Sequence, residues 1–152
     1  MKLFFIMIAA CIIWLSGCGT SDRAGASDIE EISERVFATY LSEIRQNKAD
    51  YLGKTFKVEG IFEMQARDGQ PAPYVYRLLF DGCCELDPVG IDIAWDSAHP
   101  TDNSWAAYPA DDSWVEAVGV LAQVEGDGAS YLRLNLLSLT VMEERGEEIV
   151  VR

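Results

Sequence analysis

Five stretches of alternating apolar and polar residues occupy most of the chain after its first third, and they constrain the fold more than any other feature. Alternation with a period of two is typical of β-strands with one buried face. Glycine- and proline-rich segments separate these stretches, among them 66–73 and the hairpin turn predicted at 125–128. The chain is therefore predicted to be mainly β. The predicted strands are 55–63, 74–80, 88–95, 113–124 and 129–142.

Five strands of this length favour a small five-stranded Greek-key barrel of the oligonucleotide/oligosaccharide-binding (OB) type over residues 51–142. Gly60, inside the first strand, fits the bulge or sharp coil that such a barrel needs. A long loop at 96–112 separates the third and fourth strands, where an OB barrel usually has a helix, and its prolines do not suit a helix. A five-stranded sandwich is the alternative arrangement.

One amphipathic helix is predicted before the barrel, over residues 28–48. Apolar residues recur at helical spacing through it, Asp28 can cap its start, and Arg45 and Lys48 lie near its end. Because the polar face is acidic, packing against the barrel is favoured over binding to a membrane surface. At the other end of the chain, 143–152 is expected to be an acidic, loosely held tail.

The first residues have the pattern of an exported and lipidated protein. Lys2 supplies a positive charge, and the apolar stretch 3–15 is too short to span a hydrocarbon core of ~30 Å but typical of a signal peptide. It ends in Leu-Ser-Gly-Cys at Cys18, which resembles the lipobox of bacterial lipoproteins, where the cysteine is lipidated before cleavage. We therefore expect 1–17 to be a cleaved lipoprotein signal peptide, Cys18 to carry the lipid, and 18–27 to form a flexible tether.

The charge of the chain disfavours nucleic acid and anionic membrane surfaces as partners. Its 25 acidic and 12 basic residues give a net charge of −13, whereas a nucleic-acid binder needs a basic surface. An acidic body is also repelled by anionic headgroups, so the lipid anchor alone should hold it on the extracytoplasmic or periplasmic face of the cell membrane or outer membrane. The sequence has one histidine, His99, and no serine in a nucleophile-elbow pattern that could join it in a catalytic triad. An enzyme is therefore disfavoured.

Cys83 and Cys84 are the cysteines that remain for other roles once Cys11 is cleaved off and Cys18 is lipidated. Three interpretations of this pair stay open. In an exported protein it can close a strained vicinal disulfide. With carboxylates nearby, such as Asp87, it can bind zinc or copper(I). It can also be structural or idle, and no Cys-x-x-Cys spacing supports a metal.

A series of short motifs follows the predicted barrel. They are Tyr51–Gly60, Arg77, Cys83-Cys84, Asp87, Pro88-Val89-Gly90 and Trp114–Gly119. Together they resemble the soluble C-terminal domain of a family of bacterial two-component permease subunits, some of them associated with zinc homeostasis. Cys-Cys-x-x-Asp is the most specific part of the likeness.

This resemblance implies that Cys83, Cys84 and Asp87 handle a divalent metal such as zinc, with a membrane permease or another envelope protein as partner. The chain departs from the family pattern in two ways. Pro88 follows Asp87 directly, where the family has two further residues. A lipid anchor also stands in place of the transmembrane helices of the family.

Trp95, Trp105 and Tyr108 form a second candidate site, a stacking platform for a sugar or a peptide on one barrel face. Packing of these rings on the core is the alternative. The sequence thus predicts a non-enzymatic binding or accessory module that handles a metal. The alternative is a protein- or glycan-interaction domain that uses these aromatic residues and in which the cysteines are structural.

Overall fold

The computed structural model describes residues 28–67, 69–82, 85–95, 108–126 and 128–151, which are mainly β with one α-helix. The helix is α1 (Phe37–Gln46), with short 3-10 turns before and after it at Glu34–Val36 and Lys48–Asp50. The strands are β1 (Ile29–Ile32), β2 (Thr55–Arg67), β3 (Gln70–Phe80), β4 (Leu86–Trp95), β5 (Trp114–Gly126), β6 (Ala129–Val141) and β7 (Ile149–Val151).

A closed ring of pairings joins the five strands that the alternating pattern predicted. It runs from β2 to β5, β6, β4 and β3 and back to β2, and every pairing in it is antiparallel except that of β4 with β6. The ring closes because β2 changes partner: Thr55–Ile61 pairs with β5 and Ile61–Arg67 pairs with β3. The hairpin between β2 and β3 therefore takes up most of the loop expected at 66–73.

One close backbone approach and one bulge allow this curvature. A Cβ at Gly60 would lie 2.5 Å from the carbonyl oxygen of Tyr76, so glycine is needed where β2 changes partner. The bulge expected at Gly60 is found elsewhere, as a register shift between Val118 and Gly119 of β5. A bulge bends its strand and increases the local twist, which favours closure of the ring.

One hydrophobic core joins the ring strands to α1. The helix buries Phe37, Ala38, Leu41 and Ile44, at the spacing of a single helical face. The expectation that this helix packs against the β-strands is thus confirmed. The strands contribute the rest of the core, which includes Phe56, Val58, Phe62, Val75, Leu79, Ile91, Ile93, Val115, Ala117, Leu121, Leu134 and Leu136.

The helix predicted over 28–48 was wrong in its first part. Ile29–Ile32 forms β1, which pairs in parallel with Thr55–Val58 at the edge of β2, and α1 begins only at Phe37. Ile32 is buried while Ile29 is exposed, so the apolar pair that suited a helical face is divided between core and solvent. Pairing with the open edge of β2 satisfies the backbone of this segment.

The C-terminal segment is also more structured than the loose tail expected at 143–152. Ile149–Val151 forms β7, which pairs in parallel with Leu78–Phe80 of β3. The side chain of Val150 is buried in the core. Pairing and burial together fix this segment against the ring, because the outer edge of β3 leaves backbone groups that β7 satisfies.

Arg77 ties these terminal segments to the ring. Only 1% of its surface is exposed, and burial lowers the pKa of its guanidinium. Its Nε donates to the carbonyl oxygen of Glu59 (2.8 Å) and its Nη1 to that of Glu147 (2.6 Å). Nη1 also lies 3.4 Å from the Glu34 carboxylate. The buried charge is therefore surrounded by acceptors from three parts of the chain.

Candidate functional site

Asp92 is a buried carboxylate within the apolar part of β4. It is 6% exposed, and its neighbours Ile91 and Ile93 both belong to the core. Because successive side chains of a strand point to opposite faces, Asp92 faces away from those two residues. Arg67 donates to its Oδ2, whereas no described residue donates to its Oδ1. A buried carboxylate oxygen without a donor is unfavourable, and in a native structure it suggests a function.

Arg67 is the partner of Asp92. The hydrogen bond to Asp92 raises the pKa of Arg67, and the guanidinium carbon lies 4.9 Å from the centre of the Tyr131 ring. This cation–π contact and the ion pair hold the guanidinium between β4 and β6. The pair leaves one carboxylate oxygen, Asp92 Oδ1, for a further donor.

A cavity of about 650 Å³ lies beside this ion pair. The second half of α1 and the 3-10 turn after it, the end of β2, parts of β3 and β4 and the hairpin between β5 and β6 form its walls. Its volume falls within the ~300–1,000 Å³ typical of small-molecule sites. The polar residues on its walls include Arg45, Lys48, Arg67, Tyr74, Asp92 and Tyr131.

The charge of this cavity differs in sign from that of the whole chain. Arg45, Lys48 and Arg67 line it with Asp92 as the one acidic residue among the described lining residues. Arg45 Nη2 donates to the carbonyl oxygen of Gly90 (2.6 Å), which directs the guanidinium towards the cavity wall. Neither Arg45 nor Lys48 forms an ion pair with a described carboxylate. The cavity is therefore a locally positive region.

Tyr74 adds a neutral hydroxyl to the same wall. Burial raises the pKa of Tyr74, so this hydroxyl stays protonated at neutral pH. Its ring stacks on that of Tyr76, with the ring centres 5.9 Å apart. The cavity thus combines an aromatic wall, cationic groups and an available acceptor.

A second cavity, of about 290 Å³, adjoins the first. Arg67, Asp92 and Tyr131 line both cavities, so the ion pair stands between them. Arg133 and Tyr108 belong to the second cavity.

The structure brings two of the three predicted aromatic residues together. The backbone N–H of Trp95 donates to the hydroxyl oxygen of Tyr108 (3.2 Å), and both residues pack against the core. The Tyr108 ring stacks on Phe62 with the ring centres 5.9 Å apart, and burial raises the pKa of Tyr108. Trp105 lies outside the described residues. The packing of Trp95 and Tyr108 corresponds to the structural alternative for these rings.

Of the predicted metal ligands, Asp87 is described and is exposed on β4, opposite Leu79 of β3. Cys83, Cys84 and the predicted lipidation site Cys18 lie outside the described residues. Phe80 pairs with Leu86, so both cysteines belong to the connection between these strands, and Gly82 just before them has φ +94°. Within the residues that the structure describes, no three or more His, Cys, Asp or Glu side chains are grouped to hold a metal ion.

Sequence reasoning missed the residues of the larger cavity as a site. Arg45 and Lys48 were interpreted as the basic end of a helix, and Arg67 fell in a predicted loop. Asp92 carried the one usable signal, a carboxylate between the two isoleucines of a predicted strand. That pattern is compatible with an exposed polar residue on the outer face of the strand and with a buried, functional carboxylate. The strand pattern alone does not distinguish the two.

Comparisons with protein-family models, with curated proteins and with solved structures found no match to this chain. In the part of the chain that the structure describes, no helix has the length and apolar character needed to cross a membrane.

Proposed function

We propose that this protein is a lipid-anchored, extracytoplasmic lipoprotein whose OB-like barrel acts as a non-enzymatic binding module. The observation that carries the binding role is the buried Asp92, whose Oδ1 has no donor among the described residues at the wall of a cavity of about 650 Å³. An unsatisfied buried acceptor beside a cavity of ligand size is best explained by a ligand that supplies the donor.

The order of pairings supports an OB-like barrel. Numbered along the chain, the five ring strands pair in the order first, second, third, fifth, fourth and back to first, with the third and fifth parallel. This is the Greek-key order of OB barrels, which bind ligands in grooves and between connecting loops. The helix α1 packs at the ring but precedes all five strands.

The anchor rests on the segment before the described residues. The apolar stretch 3–15 and Cys18 in its Leu-Ser-Gly-Cys context support cleavage and lipidation. With a net charge of −13, the chain is expected to stay off anionic headgroups except through its lipid, at the cell membrane or outer membrane.

Metabolic labelling with an alkyne analogue of palmitate tests the anchor. The full chain, expressed in bacteria, should incorporate the label, and Cys18→Ser should abolish it. Cys11→Ser is the matched control, because Cys11 lies within the expected signal peptide and should leave labelling unchanged. Equal labelling of the Cys18→Ser chain and the wild type would exclude lipidation at this cysteine.

Thermal unfolding of the full chain in detergent tests the binding role. A panel of neutral saccharides, acidic saccharides, short peptides and Zn²⁺ is added in turn. A ligand that binds only the folded state raises the unfolding temperature with its concentration. The role is supported by a ligand that raises this temperature in wild type and not in Asp92→Asn, and contradicted if no member of the panel does so.

A second candidate function is metal handling by Cys83, Cys84 and Asp87, with a membrane permease or envelope protein as partner. The observation that favours it is the connection between Phe80 and Leu86, which contains both cysteines and has Gly82 in a left-handed conformation at its start. Neighbouring side chains of a regular strand point to opposite faces, so two adjacent cysteines can bind one ion only where the chain departs from a strand. Thiolates with a carboxylate suit zinc.

Native mass spectrometry of the full chain, purified without reductant or chelator, tests this candidate. One bound zinc or copper ion, lost in the Cys83→Ser/Cys84→Ser chain, would support it. Asp50→Asn is the matched control, an exposed carboxylate far along the chain from the cysteines. A mass short of two hydrogens and without metal would instead indicate the vicinal disulfide.

The third possibility, a protein or glycan surface formed by Trp95, Trp105 and Tyr108, has a narrower basis. Tyr108 lines the smaller cavity, but its ring is stacked on Phe62. Tyr108→Phe keeps that stacking and removes the hydroxyl. If this platform binds a glycan through the ring faces, Tyr108→Phe should retain the thermal shift and Trp105→Ala should lose it.

A further inference from the structure

We infer that the cavity beside Asp92 binds an acidic sugar, that is, a polyhydroxylated carboxylate of the uronic acid class. This inference rests on the proposed role of that cavity as a binding site and specifies the ligand. It follows from the placement of cationic side chains, from the unsatisfied oxygen of Asp92 and from the apolar and aromatic residues of the walls.

Cations without ion-pair partners are concentrated at the two cavities. Among the described residues, four basic side chains make no ion pair, and they are Arg35, Arg45, Lys48 and Arg133. Three of the four line the two adjoining cavities. In a chain of net charge −13, basic residues readily find carboxylates. A group of cations left without them creates a local positive potential that attracts an anion.

Asp92 requires a hydrogen-bond donor on the ligand. Its Oδ1 accepts no hydrogen bond from the described residues, and as a carboxylate oxygen it can only accept. A fully deprotonated inorganic anion such as sulfate offers no donor to this oxygen. The ligand therefore needs a donor at one end and an anionic group at the other. Arg67 already neutralises this carboxylate, so a neutral hydroxyl is a better donor here than a second cation.

Apolar and aromatic side chains form the rest of the cavity wall. Leu41, Ile44, Ile91 and Leu132 line the larger cavity together with the rings of Tyr74 and Tyr131. A sugar ring presents C–H groups to such a surface and hydroxyls at its edge. The volume of about 650 Å³ exceeds what one sugar ring needs, which favours a short oligosaccharide.

To test this inference, the full chain in detergent is titrated with three probes. Binding of each probe is measured by saturation-transfer NMR. Digalacturonate carries hydroxyls and carboxylates, its dimethyl ester keeps the hydroxyls without the charge, and adipate keeps two carboxylates without the hydroxyls. We expect digalacturonate to bind at least about tenfold more tightly than either of the others. If the ester binds as tightly as digalacturonate, the ligand does not need an anionic group. If adipate binds as tightly as digalacturonate, the ligand does not need hydroxyls. Either result would overturn the inference.

Two charge-matched variants locate the site. Lys48→Gln should weaken digalacturonate binding about fivefold or more, because it removes one cation from the cavity. Arg35→Gln removes an exposed cation that makes no ion pair and does not line the cavity, so it should leave the affinity unchanged. Equal weakening by both variants would show that the net charge acts rather than this cavity, and would overturn the assignment.

Thermal unfolding with the panel of saccharides, peptides and Zn²⁺ distinguishes a wrong ligand class from a wrong binding role. If digalacturonate fails to bind while a neutral saccharide, a peptide or Zn²⁺ raises the unfolding temperature in an Asp92-dependent way, the ligand class is wrong and the binding role stands. If nothing in the panel binds, both fail. Palmitate labelling reports on the anchor independently of either result.

Discussion

Arg77 and Arg67 stand in adjoining strands of the same ring, and each meets a carboxylate, but their surroundings differ. Arg77 is 1% exposed and donates to two carbonyl oxygens besides its contact with Glu34. The Arg67 side chain is 38% exposed, and its carboxylate partner Asp92 is the buried member of the pair. One site encloses a cation among fixed acceptors, and the other leaves an acceptor open at a cavity.

The aromatic contacts follow the same division. Arg77 lies between the rings of Phe37 and Trp114, with its guanidinium carbon 5.2 and 4.9 Å from the ring centres. Burial lowers the pKa of Arg77, whereas the hydrogen bond to Asp92 raises the pKa of Arg67. A charge whose partners are complete within the fold stabilises structure. A charge pair in which one carboxylate oxygen has no donor within the fold can accept a hydrogen bond from a ligand.

The largest effect is expected at Arg77. Arg77→Met keeps an unbranched apolar side chain and removes the charge, which leaves the carbonyl oxygens of Glu59 and Glu147 without their donor. We expect the free energy of unfolding to fall by about 3 kcal/mol. Urea unfolding of the full chain in detergent measures it. A loss below ~1 kcal/mol would mean that Arg77 does not hold the terminal segments to the ring.

Substitution of Arg67 should cost less and, unlike that of Arg77, should be reversible by a second change. Arg67→Met leaves the Asp92 carboxylate buried without a counterion. We expect this to lower the free energy of unfolding by about 2 kcal/mol. Adding Asp92→Leu removes that charge as well and should restore stability to within ~1 kcal/mol of wild type. The same urea assay applies. If the double variant is less stable than Arg67→Met, the pair is a structural element like Arg77.

Glu34→Gln tests whether the carboxylate or the carbonyl oxygens dominate at Arg77. The Glu34 side chain is 43% exposed, and its Oε1 also accepts from the backbone N–H of Glu147 (3.2 Å). The neutral amide of glutamine keeps an acceptor oxygen and removes only a charge that solvent screens. We therefore expect the free energy of unfolding to fall by about 0.5 kcal/mol. Combined with Arg77→Met, this variant should not restore stability, in contrast to the rescue expected at Asp92.

A carboxylate outside both sites sets the scale for an ordinary surface contact. The Tyr40 hydroxyl donates to Glu30 Oε2 (2.6 Å), and this bond, with Lys54, lowers the pKa of Glu30 below its usual 4.5. The stabilisation is complete above pH 4.5 and is lost as pH falls through the lowered folded-state pKa. Tyr40→Phe should therefore lose less stability than wild type on acidification from pH 5 to 3, by under ~1 kcal/mol. Urea unfolding across this range measures it, and parallel pH curves for the two chains would contradict the expectation.

The strands of the ring could be predicted because their pattern is local. Alternation over 113–124 and 129–142 reports a buried face residue by residue, and the turn between them has Gly128 at φ +85°. The structure extends or trims each of these strands by a few residues. The helical face that packs on the core was visible for the same reason, since its residues recur within one segment.

The terminal strands could not be predicted from their own residues. Ile29 and Ile32 fit a helical face as well as a strand, and only the open edge of β2 decides between the two. Ile149–Val151 is short and flanked by charges, and it becomes ordered because β3 offers it an edge. Both outcomes depend on partners that lie more than twenty residues away along the chain.

The sequence by itself determined that this chain is mainly β with one packed helix, because periodicity and turn residues act over short distances. It also supports the expectations of an exported lipoprotein and of a role for Cys83 and Cys84, which rest on motifs. Only the tertiary structure placed Arg45, Lys48, Arg67 and Asp92 around one cavity, since α1, the 3-10 turn after it, β2 and β4 supply them. The physical reason is that the neighbours of a charged group in space determine its pKa and its hydrogen bonds. Closure of the ring determines which residues become those neighbours.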